Sequence, residues 1–217
     1  MRTLVIGSSG GIGAAVLAAA GSGAVGLSRR GDGLDVTDEA SIMRVLGGID
    51  GPFDRILVTT GALELNGAAP EKSLRGLNPA GMAAQFALNA MGPVLVLKHA
   101  LRLLPRDRPA RFAALSARVG SIGDNALGGW HSYRAAKAAL NQLIHTAAIE
   151  IARSHPQAVV ACLHPGTVAT PLTAKYAGSH PTVTPDAAAR NLLHVLDGLT
   201  PAQSGGFFDW QGKPIPW

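Results

Sequence analysis

Cysteine is almost absent from this sequence, and its scarcity excludes two kinds of small scaffold. The only cysteine is Cys162, so the chain has neither a disulfide framework nor a cysteine-based zinc cluster. Cys162 lies in the apolar run Ala158–Leu163 and is expected to be a small buried hydrophobic side chain. The histidines show no metal-ligand spacing with acidic residues. We therefore predict no metal site.

Blocks of basic charge and aromatic side chains are also scarce. The formal net charge is +5, but the longest run of basic residues is Arg29-Arg30, and aromatic residues make up 5% of the chain. Nucleic-acid-binding surfaces cluster their basic residues, so we expect no nucleic-acid partner. No stretch approaches the roughly 18 apolar residues of a membrane-spanning helix, and the opening segment has glycines where a signal peptide has its apolar core. We expect no membrane association and a cytoplasmic location.

The sequence has the composition of one globular domain. Its 217 residues are 47% hydrophobic and 15% charged, which suits a single domain spanning residues 1–217. The predicted strands are Thr3–Ile6, Ala24–Leu27, Arg55–Thr59, Arg111–Leu115, Ala158–Leu163 and Gly206–Asp209. Continuous apolar strands between helices indicate an α/β fold: a Rossmann-type, doubly wound parallel sheet with helices on both faces.

Five segments between these strands have helical patterns. The predicted helices are Gly13–Ala20, Ala40–Leu46, Pro79–Leu104, Tyr133–Arg153 and Pro185–Leu196. The third is expected to bend or break near Gly92-Pro93, because proline removes a backbone donor. In such a sheet ligands bind beyond the carboxyl ends of the strands, and every motif described below falls at one of those ends.

A glycine-rich turn follows the first predicted strand. Its residues are Gly7, Ser8, Ser9, Gly10, Gly11, Ile12 and Gly13. Glycine lets the backbone turn tightly and approach a pyrophosphate, and the following helix offers unpaired N–H groups and a positive dipole end. The placement predicts a dinucleotide-binding turn; the alternative is a tight turn that holds no ligand.

The residues after the second strand indicate which dinucleotide is bound. A carboxylate there would bind the ribose 2′-hydroxyl and favour NAD, whereas this chain has Ser28-Arg29-Arg30. An arginine can pair with a 2′-phosphate through charge-assisted hydrogen bonds. We therefore predict an NADP(H) site that includes Ser28, Arg29 and Arg30, with NAD(H) disfavoured. The alternative for either arginine is a solvated loop position.

Tyr133 and Lys137 are four residues apart at the start of the longest predicted helix, so they share one face of it. A free tyrosine has a pKa near about 10 and is a poor base at neutral pH. A cation about 4 Å away, at an effective dielectric constant of about 20, stabilises the phenolate by about 4 kcal/mol. The pair therefore predicts proton transfer by a phenol of lowered pKa, although the same spacing also occurs by chance on surface helices.

The segment Ser132–Asn141, SYRAAKAALN, resembles the active-site helix of the short-chain dehydrogenase/reductase family, and the resemblance covers nearly the whole chain. Within that family, Leu115–Asn125, Leu163–Leu172 and Gly205–Trp217 are most similar to the C-factor-type and sniffer-like carbonyl reductases. The resemblance implies hydride transfer between a nicotinamide and a carbonyl or alcohol substrate. Tyr133 would be the general acid/base, and Lys137 would stabilise its phenolate and hold the cofactor ribose.

The resemblance implies roles for further residues. Asp35 and Val36 would lie beside the adenine ring, Thr60 and Gly61 against the cofactor, and Asn89 would hold a water in the proton relay. The turn after the strand at 158–163 would contact the nicotinamide side of the cofactor through Pro165, Gly166, Val168 and Thr170.

Two departures from the family pattern stand out. Thr59 and Thr60 occupy the place of the usual double asparagine, so the side-chain network of that loop must differ. The family usually has Ser-Ser at the end of the strand predicted at 111–115, with the second serine active, but here the pair is Ser116-Ala117. We prefer Ser116 as the catalytic serine, because it directly ends the strand, and keep Ser121 as the alternative.

The partners expected are a small carbonyl or alcohol substrate and other copies of this chain. Leu172–Thr184 is predicted to be a mobile lid over the substrate, or else an ordinary surface loop. Family members often pair through the helices that correspond to Pro79–Leu104 and Tyr133–Arg153, which implies a homodimer or homotetramer. Two other functions stay open: a dinucleotide-binding regulatory or signalling protein with little turnover, and a phosphate-binding protein for another nucleotide.

Overall fold

The computed structural model describes residues 1–171, 173–176 and 181–217. The strands in these ranges are β1 (Thr3–Ile6), β2 (Ala24–Leu27), β3 (Arg55–Val58), β4 (Ala110–Leu115), β5 (Ala158–His164) and β6 (Phe207–Asp209). The helices are α1 (Gly11–Ala20), α2 (Arg29–Asp32), α3 (Glu39–Gly47), α4 (Pro79–Phe86), α5 (Gly92–Ala100), α6 (His131–Ile151) and α7 (Pro185–Gly198). Short 3₁₀ turns cover Gly21–Gly23, Leu74–Gly76, Leu101–Leu103, Arg118–Gly120 and Pro201–Gln203.

The strands form one parallel sheet in the order β2-β1-β3-β4-β5-β6. The chain moves outward from β1 to β2 and then returns to the other side of β1 with β3. The topological switch point of the sheet therefore lies between the carboxyl ends of β1 and β3, where open α/β sheets bind their ligands. The predicted doubly wound Rossmann-type fold is confirmed.

Alternation along the strands divides the core into two layers. Leu4 and Ile6 of β1 point into a buried cluster with residues of α3, α5 and α6. Val5 points to the opposite face, into a second cluster with residues of α1 and α7. Because both faces of the sheet are covered, polar side chains reach a ligand only at the ends of the strands.

The helical stretch Pro79–Leu103 continues through Gly92-Pro93 instead of breaking there, so that prediction is corrected. A π-helical segment, Ala87–Met91, joins α4 to α5. Pro93 cannot donate to the carbonyl of Asn89, its partner four residues back in an α-helix, and the wider turn lies where that bond is missing. By length and composition this is the one segment of the described chain that could cross a membrane; here α4 packs against α6 and α5 packs against α3.

Two further boundaries differ from the predictions near the switch point. Helix α1 begins at Gly11 rather than Gly13, so more of the glycine turn belongs to the helix. Arg29 and Arg30 lie in the short helix α2 and not in a loop, because the Ser28 hydroxyl accepts a hydrogen bond from the Gly31 N–H at 3.0 Å and caps that turn.

Candidate active site

The glycine turn is held between β1 and β2 by backbone hydrogen bonds. The N–H groups of Gly7 and Ser8 both donate to the Leu27 carbonyl, at 2.8 and 3.1 Å. A Cβ on Gly13 would lie 2.1 Å from the Gly7 carbonyl oxygen, so only glycine lets α1 pack this closely on the turn. The first turn of α1 contains no acidic residue, and Gly10 provides no side-chain cap. Its N–H groups are therefore suited to bind an anionic ligand.

The turn after β5 lies against this glycine turn. A Cβ on Gly11 would be 2.9 Å from Cγ2 of Thr170, so the two predicted cofactor-contacting segments are neighbours in space. Val168 is buried, and the next residue, Ala169, donates its N–H to the Val183 carbonyl at 2.9 Å. Pro165 and Gly166 precede them in the same turn. The turn after β5 is thus hydrogen-bonded to Val183, near the end of the predicted lid.

The predicted adenine and 2′-phosphate residues lie beside the end of β2. Arg29 and Arg30 are exposed in α2, which leaves their guanidinium groups accessible to a ligand. Asp35 accepts hydrogen bonds from the N–H and hydroxyl of Thr37, at 2.9 and 2.6 Å, and these bonds lower its pKa. Val36 is buried. It packs in the core cluster and against Gly92 of α5.

The threonines that replace the asparagine pair have separate roles. The Thr59 hydroxyl donates to the Ile6 carbonyl at 2.8 Å and so ties β3 to β1 at the switch point. The Thr60 hydroxyl is buried and has no hydrogen-bond partner among the described residues, although a methyl group of Thr60 lies close to Gly7. The loop keeps its packing, as predicted, and one polar group in it is left available to a ligand.

Asn89 fixes the loop that follows Thr60. Its amide nitrogen donates to the Ala62 carbonyl at 2.9 Å and to Gln85 Oε1 at 2.6 Å, while its oxygen accepts from the Ala62 N–H at 3.2 Å. The Asn89 side chain is therefore fully engaged with protein groups. A Cβ on Gly61 would lie 2.9 Å from Asn89 Oδ1 and 3.5 Å from Lys137 Nζ. Glycine at this position therefore lets the loop pack closely against both side chains.

Tyr133 and Lys137 lie on one face of the first two turns of α6. Lys137 Nζ lies 5.8 Å from the centre of the Tyr133 ring. It donates a hydrogen bond at 2.8 Å to the carbonyl of Leu115, the last residue of β4. The ammonium group is buried, and burial lowers the pKa of Lys137 to about 8. Tyr133 is partly exposed and lines a cavity.

The predicted lowering of the Tyr133 pKa is wrong for this structure. Burial raises the pKa of Tyr133 to about 12, because removing the phenolate from water is unfavourable. The expected lowering assumed about 4 Å between the lysine ammonium and the phenol oxygen. In the structure, Lys137 Nζ lies 5.8 Å from the centre of the Tyr133 ring and donates to the Leu115 carbonyl. Tyr133 is therefore a neutral phenol at pH 7, which is the protonation state of a proton donor.

Ser116 is buried at the end of β4. Its buried hydroxyl donates to Asn141 Oδ1 at 2.7 Å, so its proton is committed to α6. Ser121 is buried, and its oxygen accepts from the Asp124 N–H at 3.1 Å, which leaves its own proton for another acceptor. Ala117, at the position of the usual active serine, is partly exposed on extended backbone. Which of the two serines acts on the substrate stays a prediction.

An aromatic wall stands beside Tyr133. The rings of Trp130 and Tyr133 meet edge to face with their centres 6.4 Å apart, and Trp130 meets Tyr176 in the same way at 5.5 Å. Tyr176 belongs to the predicted lid, of which the structure describes 173–176 and 181–184; Leu172 and residues 177–180 lie outside the described residues. The Tyr176 hydroxyl and Lys175 Nζ both donate to the Glu64 carboxylate.

A cavity of about 260 Å³ opens beside the Tyr133 ring. Its walls come from the β3–α4 loop and from α4, and they include Leu65, Pro70, Glu71, Ala84 and Gln85. Most of this surface is apolar, with Tyr133 at one side. The cavity can hold a small uncharged molecule next to the phenol.

Sequence reasoning missed three residues that shape this site. Gln85 holds Asn89, and their four-residue spacing on one helix could have indicated the pair. Asn141 lies one turn after Lys137 and could have been found in the same way. Glu71 binds Ser132 from 61 positions away, and no pattern in the sequence predicts such a distant contact. In the described part of the chain, no cluster of three or more metal-ligating side chains occurs.

Comparisons with known proteins agree with this arrangement. A family model described as enoyl-(acyl carrier protein) reductase matches residues 16–198. The C-signal of Myxococcus xanthus is 35% identical over 168 residues, which cover 77% of this chain and 94% of that protein. A 1-hydroxy-2-glutathionyl-2-methyl-3-butene dehydrogenase of a Rhodococcus strain is 36% identical over 133 residues, but the match spans 61% of this chain and only 57% of that protein.

Solved structures share the whole fold. The carbonyl reductase Sniffer of D. melanogaster aligns with a TM-score of 0.83 at 18% identity, covering 100% of this chain and 99% of the other. An NADPH-bound carbonyl reductase from chicken fatty liver aligns with a TM-score of 0.82 at 22% identity, covering 100% and 94%. With the match of the family model over most of its length, the chain belongs to the short-chain dehydrogenase/reductase family of oxidoreductases.

Proposed function

We propose that this protein is an NADP(H)-dependent oxidoreductase that interconverts a small carbonyl compound and its alcohol. One observation carries the proposal. Tyr133, a neutral phenol, lies in the wall of a mostly apolar cavity, and the Lys137 ammonium lies one helical turn behind it at the carboxyl edge of the sheet. This is the arrangement of a proton donor with a charge that stabilises its conjugate base.

The residues at the switch point fit a dinucleotide. Gly13 lets α1 begin directly against the glycine turn, and the first turn of α1 offers N–H groups to which a pyrophosphate could bind. The Thr60 hydroxyl has no partner within the described protein, and the methyl group of the same residue lies close to Gly7. The exposed Arg29 and Arg30 suit a 2′-phosphate. Two solved structures of the same fold, a carbonyl reductase from chicken fatty liver and a short-chain dehydrogenase/reductase from Burkholderia multivorans, hold NADPH and NADP, which supports the same choice.

The bound nicotinamide would supply the hydride. The chain's own residues then act on the substrate oxygen: Tyr133 donates its proton as negative charge develops there, and Lys137 stabilises the phenolate left behind. A raised pKa keeps Tyr133 protonated at neutral pH, which is the state that a proton donor to a carbonyl oxygen needs. Asn89 acts at a distance by holding the Gly61-Ala62 loop beside Lys137.

The test is NADPH oxidation with a panel of uncharged aldehydes and ketones. We expect turnover in the native protein. Tyr133→Phe should lose at least about 100-fold in kcat, the usual contribution of a general acid, while its Kd for NADPH changes little. No turnover with any carbonyl, together with tight NADPH binding, would contradict the proposal.

A second function is favoured by the serine position. The Ser116 hydroxyl is bonded to Asn141 and position 117 is alanine, which suits a dinucleotide-binding regulatory protein with little turnover. The relative in Myxococcus xanthus is named for a signal rather than for a reaction. The same assay decides, because a regulatory protein binds NADPH without oxidising it.

Self-association is the remaining proposal. Met91, Leu143 and Ile149 are exposed apolar side chains on the two long helical segments that the family resemblance implies as a subunit interface. We infer a homodimer or homotetramer from these faces, and light scattering during size-exclusion chromatography measures it directly. A monomer at micromolar concentration would contradict the inference.

A further inference from the structure

The N-terminus of α6 is capped by a residue that is remote in the sequence. Trp130, the residue before the helix, has a left-handed backbone with φ of 51° and gives no side-chain cap. Instead the Ser132 N–H donates to Glu71 Oε2 at 3.2 Å, and the Ser132 hydroxyl donates to Glu71 Oε1. The Trp130 N–H also donates to the main-chain carbonyl of Glu71, at 2.6 Å. Glu71 thus makes three hydrogen bonds to the start of α6, two of them to Ser132, which is 61 positions away.

The charge of Glu71 suits this position. A carboxylate at a helix N-terminus interacts favourably with the unpaired N–H groups and the helix dipole. Partial burial opposes ionisation of Glu71, but the hydrogen bonds from Ser132 outweigh it and hold the pKa of Glu71 below its ordinary value. The group is therefore a carboxylate at neutral pH, and its two oxygens accept from two different donors.

The turn that Glu71 caps carries Tyr133. Glu71 and Tyr133 line the same cavity, and Ser132, which binds Glu71, directly precedes Tyr133. Lys137 is fixed independently, through its bond to the Leu115 carbonyl. The position of the phenol relative to the ammonium therefore depends on how firmly the first turn of α6 is wound. Glu71 holds that turn from outside, together with Arg134, which donates to the Gly129 and Val119 carbonyls at 3.0 and 3.2 Å.

We propose that Glu71 is a positioning residue: its carboxylate clamps the β3–α4 loop onto the first turn of α6 and so holds the Tyr133 phenol at the substrate cavity. The effect on turnover rests on the proposed function; the clamp itself does not. Because the clamp joins the cavity wall to the proton donor, losing it loosens the donor without touching the glycine turn or Arg29 and Arg30.

The first experiment separates positioning from stability. Glu71→Ala should lower kcat for carbonyl reduction about 10-fold or more, as small displacements of a catalytic group do, with a smaller change in KM and an unchanged Kd for NADPH. Glu71→Gln keeps an oxygen acceptor but no charge and should recover part of kcat. Ser132→Ala should act in the same direction, and the double variant should lose less than the product of the two single losses.

Glu150→Ala is the matched control. Glu150 is an exposed carboxylate in the last turn of the same helix, far from Tyr133, and its loss should leave kcat unchanged. Equal kcat in native protein and Glu71→Ala would overturn the proposal. So would a loss of kcat in Glu71→Ala that equals the fraction of unfolded protein and is not recovered in Glu71→Gln.

A second experiment reads the clamp without turnover. The chain has two tyrosines, so in a Tyr176→Phe background the ultraviolet absorbance of phenolate reports Tyr133 alone. Adding Glu71→Ala should hydrate the phenol and raise its ionised fraction at about pH 10.5 toward that of a free tyrosine. Hydrogen exchange of the backbone amides should accelerate at 131–134 and not at 140–148. If the native protein reduces no carbonyl, the proposed function fails, yet this experiment still decides the clamp: unchanged ionisation and exchange would overturn it.

Discussion

Restoring a serine at position 117 is the sharpest test of how this site works. Ala117 is partly exposed and its backbone is extended, with φ of −142° and ψ of 144°, so a serine can be accommodated there without strain. The change adds one hydroxyl at the end of β4, on the edge of the sheet where Lys137 binds Leu115. If this position faces the substrate oxygen, Ala117→Ser supplies a further hydrogen-bond donor beside Tyr133.

The size of the effect follows from one hydrogen bond. A single preorganised donor aimed at a developing oxyanion contributes about 100- to 1,000-fold to kcat, or about 2.7–4 kcal/mol. A hydroxyl without supporting partners realises only part of that, so we expect kcat/KM to rise about 10-fold, which corresponds to about 1.4 kcal/mol. The assay is NADPH oxidation over a range of carbonyl concentrations at saturating NADPH, and the Kd for NADPH should not change.

Ser116→Ala provides the contrast. It removes the bond to Asn141 in a buried interface, which costs about 1–3 kcal/mol when a buried partner is left unpaired. The melting temperature should therefore fall, by about 2–4 °C for each kcal/mol, while kcat of the folded protein stays within about threefold. Our reasoning is refuted if Ser116→Ala abolishes turnover at an unchanged melting temperature and Ala117→Ser has no effect.

Three further predictions follow from the same structure. Replacing Arg29 or Arg30 by alanine should raise the Kd for NADPH about 10-fold each, since a charged hydrogen bond contributes about 1.5–3 kcal/mol, and should leave the Kd for NADH nearly unchanged. The rate of carbonyl reduction should be level below pH 7 and fall as the pH rises through about 8, because Lys137, whose pKa burial lowers to about 8, then loses its charge. Gly61→Ala should lower the free energy of unfolding in urea by about 1–3 kcal/mol, because the new methyl group would lie 2.9 Å from the fully bonded Asn89 oxygen.

Each of these has a contrary outcome. Equal losses of NADPH and NADH affinity would show that the arginines do not bind a 2′-phosphate. A reduction rate that keeps rising above pH 8 would show that the charge on Lys137 is not needed. An unfolding curve of Gly61→Ala that overlays that of the native protein would show that the Asn89 bonds do not fix this loop.

The sequence alone determined the sheet, the glycine turn and the helix that carries Tyr133 and Lys137. These features are local: apolar runs of four to seven residues make buried strands, glycine spacing makes the turn, and residues four apart share a helix face. The identity of the family followed from the same short segments. Such patterns can be recognised in one sequence because each depends only on residues that are close together in it.

Tertiary structure alone decided the hydrogen bonding and the electrostatics of the site. Ser116 turned to Asn141, Glu71 reached Ser132 across 61 residues, and burial raised the pKa of Tyr133 where the sequence predicted a lowered one. Each outcome depends on which groups from distant segments share one small volume and on how much water that volume admits. Desolvation and competition for hydrogen-bond partners are properties of packing, and neither the order of residues nor their spacing specifies them.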